Sequence, residues 1–331
     1  MLSNQFEIEV SGDDCYDPIV EVVKIRPRGY CHGVVEAIRA LRQAADEHEG
    51  EPVAMLGYLV HNEHVTREFA DRGVKLVDAP SRLAALEEVS EGTVVLTAHG
   101  VSPEVKERAL AKGLNVVDAT CSDVVRTHDL VQRLTGDGYT VVYIGKVGHP
   151  EPEGVLGEAP GLIHLVQSLE DVEVLELSSS KLAVTTQTTL SVWDTQAMID
   201  RLRQRFPQIE VHNEICSATQ ERQQAAVEAA KECDVVIVVG SARSSNSQRL
   251  VQVVSDLAHR PAYLVDTVAD LKPEWFVGCT RVGVTAGAST PTVLTREVIA
   301  CLEEMESPAS SEPSPVGARV AVKPGSRPSA N

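Results

Sequence analysis

Residues 140–151, Thr-Val-Val-Tyr-Ile-Gly-Lys-Val-Gly-His-Pro-Glu, decide how the chain is read. A β-branched and aromatic run from Thr140 to Ile144 predicts a strand, glycines break it, and Pro150 stands where a helix can open. The same succession recurs. Small polar tips follow apolar runs at Thr97-Ala98-His99-Gly100, Thr185-Thr186-Gln187-Thr188-Thr189, Gly240-Ser241-Ala242-Arg243-Ser244-Ser245-Asn246-Ser247 and Thr285-Ala286-Gly287-Ala288-Ser289-Thr290. In open α/β sheets, ligands bind outside the carboxyl ends of strands, so chemistry is expected at these tips.

Strands are predicted over Val20–Ile25, Val53–Leu56, Thr93–Ala98, Thr140–Ile144, Leu182–Thr185, Asp234–Val239 and Arg281–Thr285. Helix-period segments lie between them. Val34, Val35, Ile38, Leu41 and Ala45 form one apolar face, and Ser102-Pro103-Glu104 reads as a cap followed by a helix start. Further helices are expected over Asp123–Leu134, Leu190–Phe206, Gln220–Lys231, Asn246–Leu257 and Thr292–Glu303. Alternating strands and helices give an α/β fold with mainly parallel sheets. We divide the chain into three related units, 19–121, 122–214 and 215–306, between polar tails at 1–18 and 307–331.

Net charge is −18, which argues against binding a nucleic acid backbone or an anionic membrane surface. No apolar run approaches the roughly 20 residues of a membrane span, and residues 1–7 lack the pattern of a signal peptide, so a cytoplasmic location is expected. The chain has seven cysteines, an odd number without a secretory address, which predicts reduced thiols available as ligands.

Three of these thiols share a context. Cys31, Cys121 and Cys216 are separated by 90 and 95 residues, and each lies beyond a strand-like run. If the three units surround a common centre, the sulfurs converge there. Three thiolates suit zinc, copper(I) or an iron-sulfur cluster. The paired C-x-x-C spacing of structural zinc sites and the close spacing of ferredoxins are both absent, and three ligands on a 4Fe-4S cluster leave one iron open for a substrate oxygen. Cys15, Cys233, Cys279 and Cys301 stand in dissimilar contexts and are read as packing or exposed thiols.

His61, His99 and His149 also sit at strand tips. As imidazolium they would bind an anion, with Ser244, Ser245, Asn246 and Ser289 supplying neutral donors. Glu151, after His149-Pro150, is a candidate proton donor, and the Thr188 hydroxyl a candidate relay. Gly145-Lys146 lacks the rest of a nucleotide loop, and Gly136-Asp137-Gly138 lacks the third glycine of a dinucleotide fingerprint. His61-Asn62-Glu63-His64 reads as the start of a solvated helix.

Taken in order, Arg28-Gly29-Tyr30-Cys31, Leu59-Val60-His61-Asn62, Ala98-His99-Gly100-Val101, Asp118-Ala119-Thr120-Cys121, Gly148-His149-Pro150-Glu151, Thr186 through Ser191, Gly240 through Ser247 and Thr285 through Ser289 resemble the LytB family, the 4-hydroxy-3-methylbut-2-enyl diphosphate reductases. The resemblance runs from about residue 20 to 305. It implies a three-domain α/β trefoil around one 4Fe-4S cluster held by Cys31, Cys121 and Cys216. It implies reductive removal of an allylic hydroxyl, giving isopentenyl and dimethylallyl diphosphates, the last step of the non-mevalonate isoprenoid pathway. His61, His99, His149, Thr188, Ser244, Ser245, Asn246 and Ser289 would bind the allylic diphosphate, and Glu151 with Thr188 would deliver protons. Electrons would come from an external ferredoxin- or flavodoxin-class carrier. Three positions depart from the family pattern: His32 replaces a small residue, Lys146 a frequent histidine and Ser122 a frequent proline. The competing readings are a non-catalytic metal and anion sensor and an open-iron dehydratase without net reduction.

Overall fold

The computed structural model describes residues 21–306; the two tails and Cys15 lie outside the described residues. The chain opens with β1 (Glu21–Lys24), α1 (His32–Glu47), β2 (Val53–Leu56), α2 (Glu63–Ala70), β3 (Lys75–Val77), α3 (Arg82–Glu87), β4 (Thr93–Leu96), α4 (Pro103–Ala111) and β5 (Asn115–Asp118). It continues through α5 (Ser122–Gly136), β6 (Thr140–Ile144), α6 (Pro150–Leu156), β7 (Ile163–Val166), α7 (Leu169–Val174), β8 (Leu182–Thr186), α8 (Val192–Arg205) and β9 (Glu210–Val211). The last stretch holds α9 (Ser217–Ala230), β10 (Val235–Val239), α10 (Ser245–Val253), β11 (Ala262–Val265), β12 (Arg281–Ala286) and α11 (Thr292–Glu306).

These strands make three four-stranded sheets, ordered β3-β2-β4-β5, β7-β6-β8-β9 and β1-β12-β10-β11, with every pair parallel. The inner strands β2, β4, β8 and β10 are buried along their whole length, and β6 and β12 at all but their first residue. Such strands, covered on both faces, read as unbroken apolar runs, which is why all six were legible. The expected strands did not include β3, β5, β7, β9 or β11. These are sheet edges with polar or half-exposed positions, such as Asn115 and Asp118 in β5 and His164 in β7.

The third sheet is completed from the other end of the chain. β1 pairs with β12 in the register Glu21↔Arg281 to Lys24↔Val284. Consequently each sheet has a fourth, edge strand (β1, β5, β9) that hands the chain to a helix on the next sheet (α1, α5, α9). α1 buries Val34, Ala37, Ile38, Leu41 and Ala44 against Val53, Met55 and Val95. α5 packs Leu130, Val131 and Leu134 on Val141 and Tyr143, and α9 packs Ala226 and Ala230 on Val236 and Val238. The three units are thus linked in a ring.

Several local expectations change in detail. Val35 is 40% exposed and Ala45 half-buried, whereas Ala37 and Ala44 take the buried face of α1. Ser102 stands at the start of α4 but its side chain caps nothing; Pro103 fixes the first turn. Asn62 is not solvated: fully buried, its side chain accepts from the His64 and Val65 N–H groups and starts α2. Among the described residues no helix is long and apolar enough to cross a membrane.

A buried amide ties two units. Gln223 on α9, with no exposed surface, accepts from the Val192 N–H (3.0 Å) and donates to the Leu190 carbonyl (2.8 Å) at the start of α8. Gln223→Ala strands both backbone groups, and urea denaturation should show a loss of about 1–3 kcal/mol. An unchanged midpoint would show that this link contributes nothing.

Candidate active site

Each unit crossing carries a cysteine. Cys31, Cys121 and Cys216 are the N-cap residues of α1, α5 and α9, and none uses its side chain as a cap. Their backbone N–H groups donate to carbonyls at strand tips of the adjoining sheet: Cys31 to Ala288, Cys121 to Ala98 and Cys216 to Thr188, each at 3.1 Å. The backbone is thereby pinned beside each sulfur, and the Cys216 thiol donates to the Thr219 hydroxyl at 3.2 Å. All three line one central cavity of about 100 Å³. Gly33 leaves room beside them, since a Cβ there would lie 2.3 Å from the Cys121 sulfur.

Burial governs the protonation of two of these thiols. It pushes Cys121 up to about 12 and raises Cys216, despite N–H groups of the following helix turn that favour the thiolate. Close approach of Cys31 adds to both shifts. A bound cationic centre reverses that balance, because metal ligation deprotonates a thiol outright. Arg222 sits beside this group, 4% exposed, with its guanidinium donating to the carbonyls of Ala218 (2.9 Å) and Gly29 (2.8 Å).

The three histidines meet on the lining of the same cavity. His61 and His99 have ring centroids 4.2 Å apart, and His149 lies 5.0 and 5.4 Å from them. Without an anion beside them, burial and mutual crowding disfavour the imidazolium form. Desolvation first, then nearby cations, lowers His61 to about 4; desolvation and His61 lower His149 to about 3, and His99 also falls well below its ordinary value. The rings are neutral at pH 7, each with one N–H to give. His149 Nδ1 accepts the Glu151 N–H at 3.2 Å, which leaves its proton on Nε2.

Polar groups without partners face the same space. Asn246 is 4% exposed with both amide atoms unpaired, and His61 Nε2 is buried and unpaired. Buried polar atoms are rarely left so, and their gathering in one cavity marks a polar ligand site. Ser244 caps α10 by accepting from Ser247, Ser245 donates to the Thr189 carbonyl (3.3 Å), and Ser289 donates to the His61 carbonyl (3.4 Å).

Glu151 also lines this cavity and is 1% exposed. The Thr188 N–H donates to its Oε1 at 2.7 Å, the Thr188 hydroxyl to Oε2 at 3.0 Å, and the Tyr143 hydroxyl to Oε1 at 3.4 Å. Burial outweighs these bonds and raises the carboxyl to about 7, a value suited to giving up a proton near neutral pH.

All twelve site residues named from the sequence line this cavity. A larger cleft of about 510 Å³ opens beside Lys146, Ser191 and Asp194, but it holds none of the cysteines or histidines. The departures find partners: His32 Nε2 stands 3.2 Å from Asp123, Lys146 donates to Gln248 at 3.2 Å, and Ser122 opens α5. Sequence reading missed Arg82 and Arg222, buried cations within polar or mixed helices, and Gln187. Fully buried, Gln187 accepts from the Lys146 N–H and donates to Thr189. Gly57, at φ +80°, makes room for Arg82, whose guanidinium would clash with any Cβ there.

A family model described as LytB protein matches residues 22–303. A 4-hydroxy-3-methylbut-2-enyl diphosphate reductase of Symbiobacterium thermophilum is 56% identical over 287 residues, covering 86% of this chain and 97% of its own. One from Halalkalibacterium halodurans is 53% identical over 288 residues, covering 87% and 92%. Among solved structures, the E-1-hydroxy-2-methyl-but-2-enyl-4-diphosphate reductase of Plasmodium falciparum superposes with a TM-score of 0.81 at 33% identity, covering 86% of this chain and 88% of that one.

The neutral histidines have a consequence for acid stability. His61 is lowered when folded, so its contribution is present above the ordinary value near 6.5 and is lost as pH falls toward 4. Relative to the parent, His61→Gln should gain about 2 kcal/mol between pH 7.5 and pH 5, measured by chemical denaturation. A constant difference across that range would contradict the neutral ring.

Proposed function

The chain belongs to the LytB protein family, and from that premise we propose that it reductively removes the allylic hydroxyl of 4-hydroxy-3-methylbut-2-enyl diphosphate, giving isopentenyl and dimethylallyl diphosphates. The observation that carries this reading is identity above one half with reductases of that name over 86–87% of the chain. The reaction takes up two electrons and two protons and releases water.

The donor set suits an iron-sulfur cluster: Cys31, Cys121 and Cys216 on one cavity, with Gly33 leaving space at the sulfur. We assign these three as ligands of one 4Fe-4S cluster, which when bound supplies electrons and an open Lewis-acid position. Across the cavity His61, His99 and His149, with Ser244, Ser245, Asn246 and Ser289, hold the diphosphate. Their neutral state lets several donors pack closely without mutual repulsion, and an entering anion favours their protonation. The diphosphate end, once fixed, aims the hydroxyl end of the five-carbon chain toward the cysteine wall.

Glu151 protonates the departing oxygen, and Thr188, bonded to both its carboxyl oxygens, holds that group in place and relays the proton. Tyr143 closes the back of the carboxyl. Electrons come from a separate carrier of the ferredoxin or flavodoxin class.

Turnover with a chemical one-electron reductant, after anaerobic purification, tests the whole reading. Two reducing equivalents consumed per product are expected; product formed without reductant would make the chain a dehydratase, and a fully loaded protein without product would make it a sensor. Cys31→Ser, Cys121→Ser and Cys216→Ser should each lower iron and sulfide content, whereas Cys301→Ser, on α11, should leave both as in the parent.

Glu151→Gln should retain iron and bind substrate but lose about 10²–10⁴-fold in kcat. Because the folded carboxyl is raised, its ionisation costs stability progressively above the unfolded value and fully above about 7. The amide removes that cost, so the variant should be as stable as the parent or more so at pH 8. Normal turnover would dismiss the proton role, and a large loss of stability at pH 8 would contradict the raised carboxyl.

A further inference from the structure

A second cavity, of about 300 Å³, is lined by Arg26, Pro27, Arg28, Gly29, Thr292, Thr295 and Arg296. Among the described residues none of its three arginines forms an ion pair, although Lys24, two residues before Arg26, pairs with Glu303. Arg28 makes only a long bond, to the Ile25 carbonyl at 3.3 Å. Such a cluster is self-repelling, and it stands on a chain of net charge −18. The first turn of α11 adds its positive dipole end. Thr295, 2% exposed, lines the cavity with a hydroxyl that has no partner. Together these features make an anion receptor.

Its location ties it to the cysteine site. Gly29 lines this cavity and lies two residues from Cys31, at most about 8 Å between Cα atoms. The Cys31 N–H donates to Ala288, in the tip that leads into Thr292, and the Gly29 carbonyl accepts from the buried Arg222. The two cavities therefore draw on the same two segments of chain.

We propose that the Arg26, Arg28 and Arg296 pocket receives surface carboxylates of an acidic one-electron carrier protein and is the place where reducing equivalents enter. The inference rests on the reductase reading, which requires two electrons, one from each of two carrier encounters, each oxidising the carrier by one electron. The chain carries no nicotinamide or flavin fingerprint of its own. An acidic carrier is repelled by most of this surface, so a local cluster of unpaired arginines selects the docking orientation.

The test compares the iron-loaded parent with Arg26→Glu/Arg296→Glu and with the milder Arg26→Gln/Arg296→Gln. The first readout is calorimetric affinity for an oxidised acidic ferredoxin at low salt; the second is turnover driven by reduced ferredoxin or by reduced methyl viologen. Charge reversal should weaken ferredoxin affinity by about tenfold or more, the neutral pair by less, with viologen turnover within about twofold of the parent. Unchanged ferredoxin affinity overturns the proposal, as does an equal loss with both reductants. Calorimetric binding of inorganic phosphate that the arginine variants abolish, with ferredoxin affinity untouched, makes the pocket a small-anion site and also overturns it. A parent that binds ferredoxin yet yields no product with either reductant would defeat the reductase reading while leaving the docking measurement decisive.

Discussion

Three backbone hydrogen bonds of equal length, from Cys31 to Ala288, Cys121 to Ala98 and Cys216 to Thr188, hold the centre of the molecule together. Each joins the start of a helix to a strand tip of the sheet beside it. Two of them extend a sheet's register past the strand ends, Cys121 to Ala98 after Ala119 to Leu96 and Cys216 to Thr188 after His212 to Val184, and so satisfy backbone donors before the helix begins. Around these bonds the sheets supply mass and rigidity, but the bonds decide where the sulfurs stand. The fold thus fixes the backbone at each thiol, and Thr219 adds a side-chain contact at Cys216.

Among the described residues, the cavity's histidine cluster and Glu151 take no part in its close ion pair, that of Asp123 with Arg126. Burial favours the neutral form of the three histidines and holds Glu151 near its protonation midpoint, while the buried guanidiniums of Arg82 and Arg222 remain fixed charges near the histidine and cysteine walls. Arg82 adds to the lowering of all three histidines, and Arg222 lies beside Cys31 and Cys216. An anion entering between these walls meets donors that cost little to desolvate and gain strength as they take up a proton. This division of labour depends on depth, which a linear sequence does not record.

Legibility followed the same line. The six inner strands were readable because burial on both faces leaves uninterrupted apolar runs; the edge strands β3, β5, β7, β9 and β11 were not, because one side of each meets solvent or a loop. The cysteines were recognised as a set from their spacing, but their role as helix N-caps appears only when the preceding edge strands are known. The histidines are legible at the strand tips, whereas the burial and mutual crowding of residues 61, 99 and 149 that lower their pKa values are tertiary facts. Asn62 looked like solvent-facing polarity and is a buried cap. Arg222 carried no signal, being one polar residue in Gln220-Glu221-Arg222-Gln223.

The pairing of β1 with β12 bears on how the chain is made. The first described strand has its partner 260 positions later, Glu21 opposite Arg281, whereas the helix that follows it, α1, rests on the first sheet. The first two sheets can assemble from contiguous sequence as it emerges; the ring closes last, and with it the Cys31 to Ala288 bond. Of the three cysteine bonds, those of Cys121 and Cys216 lie within sheets built from contiguous sequence, whereas that of Cys31 spans 257 residues and forms only when β1 meets β12.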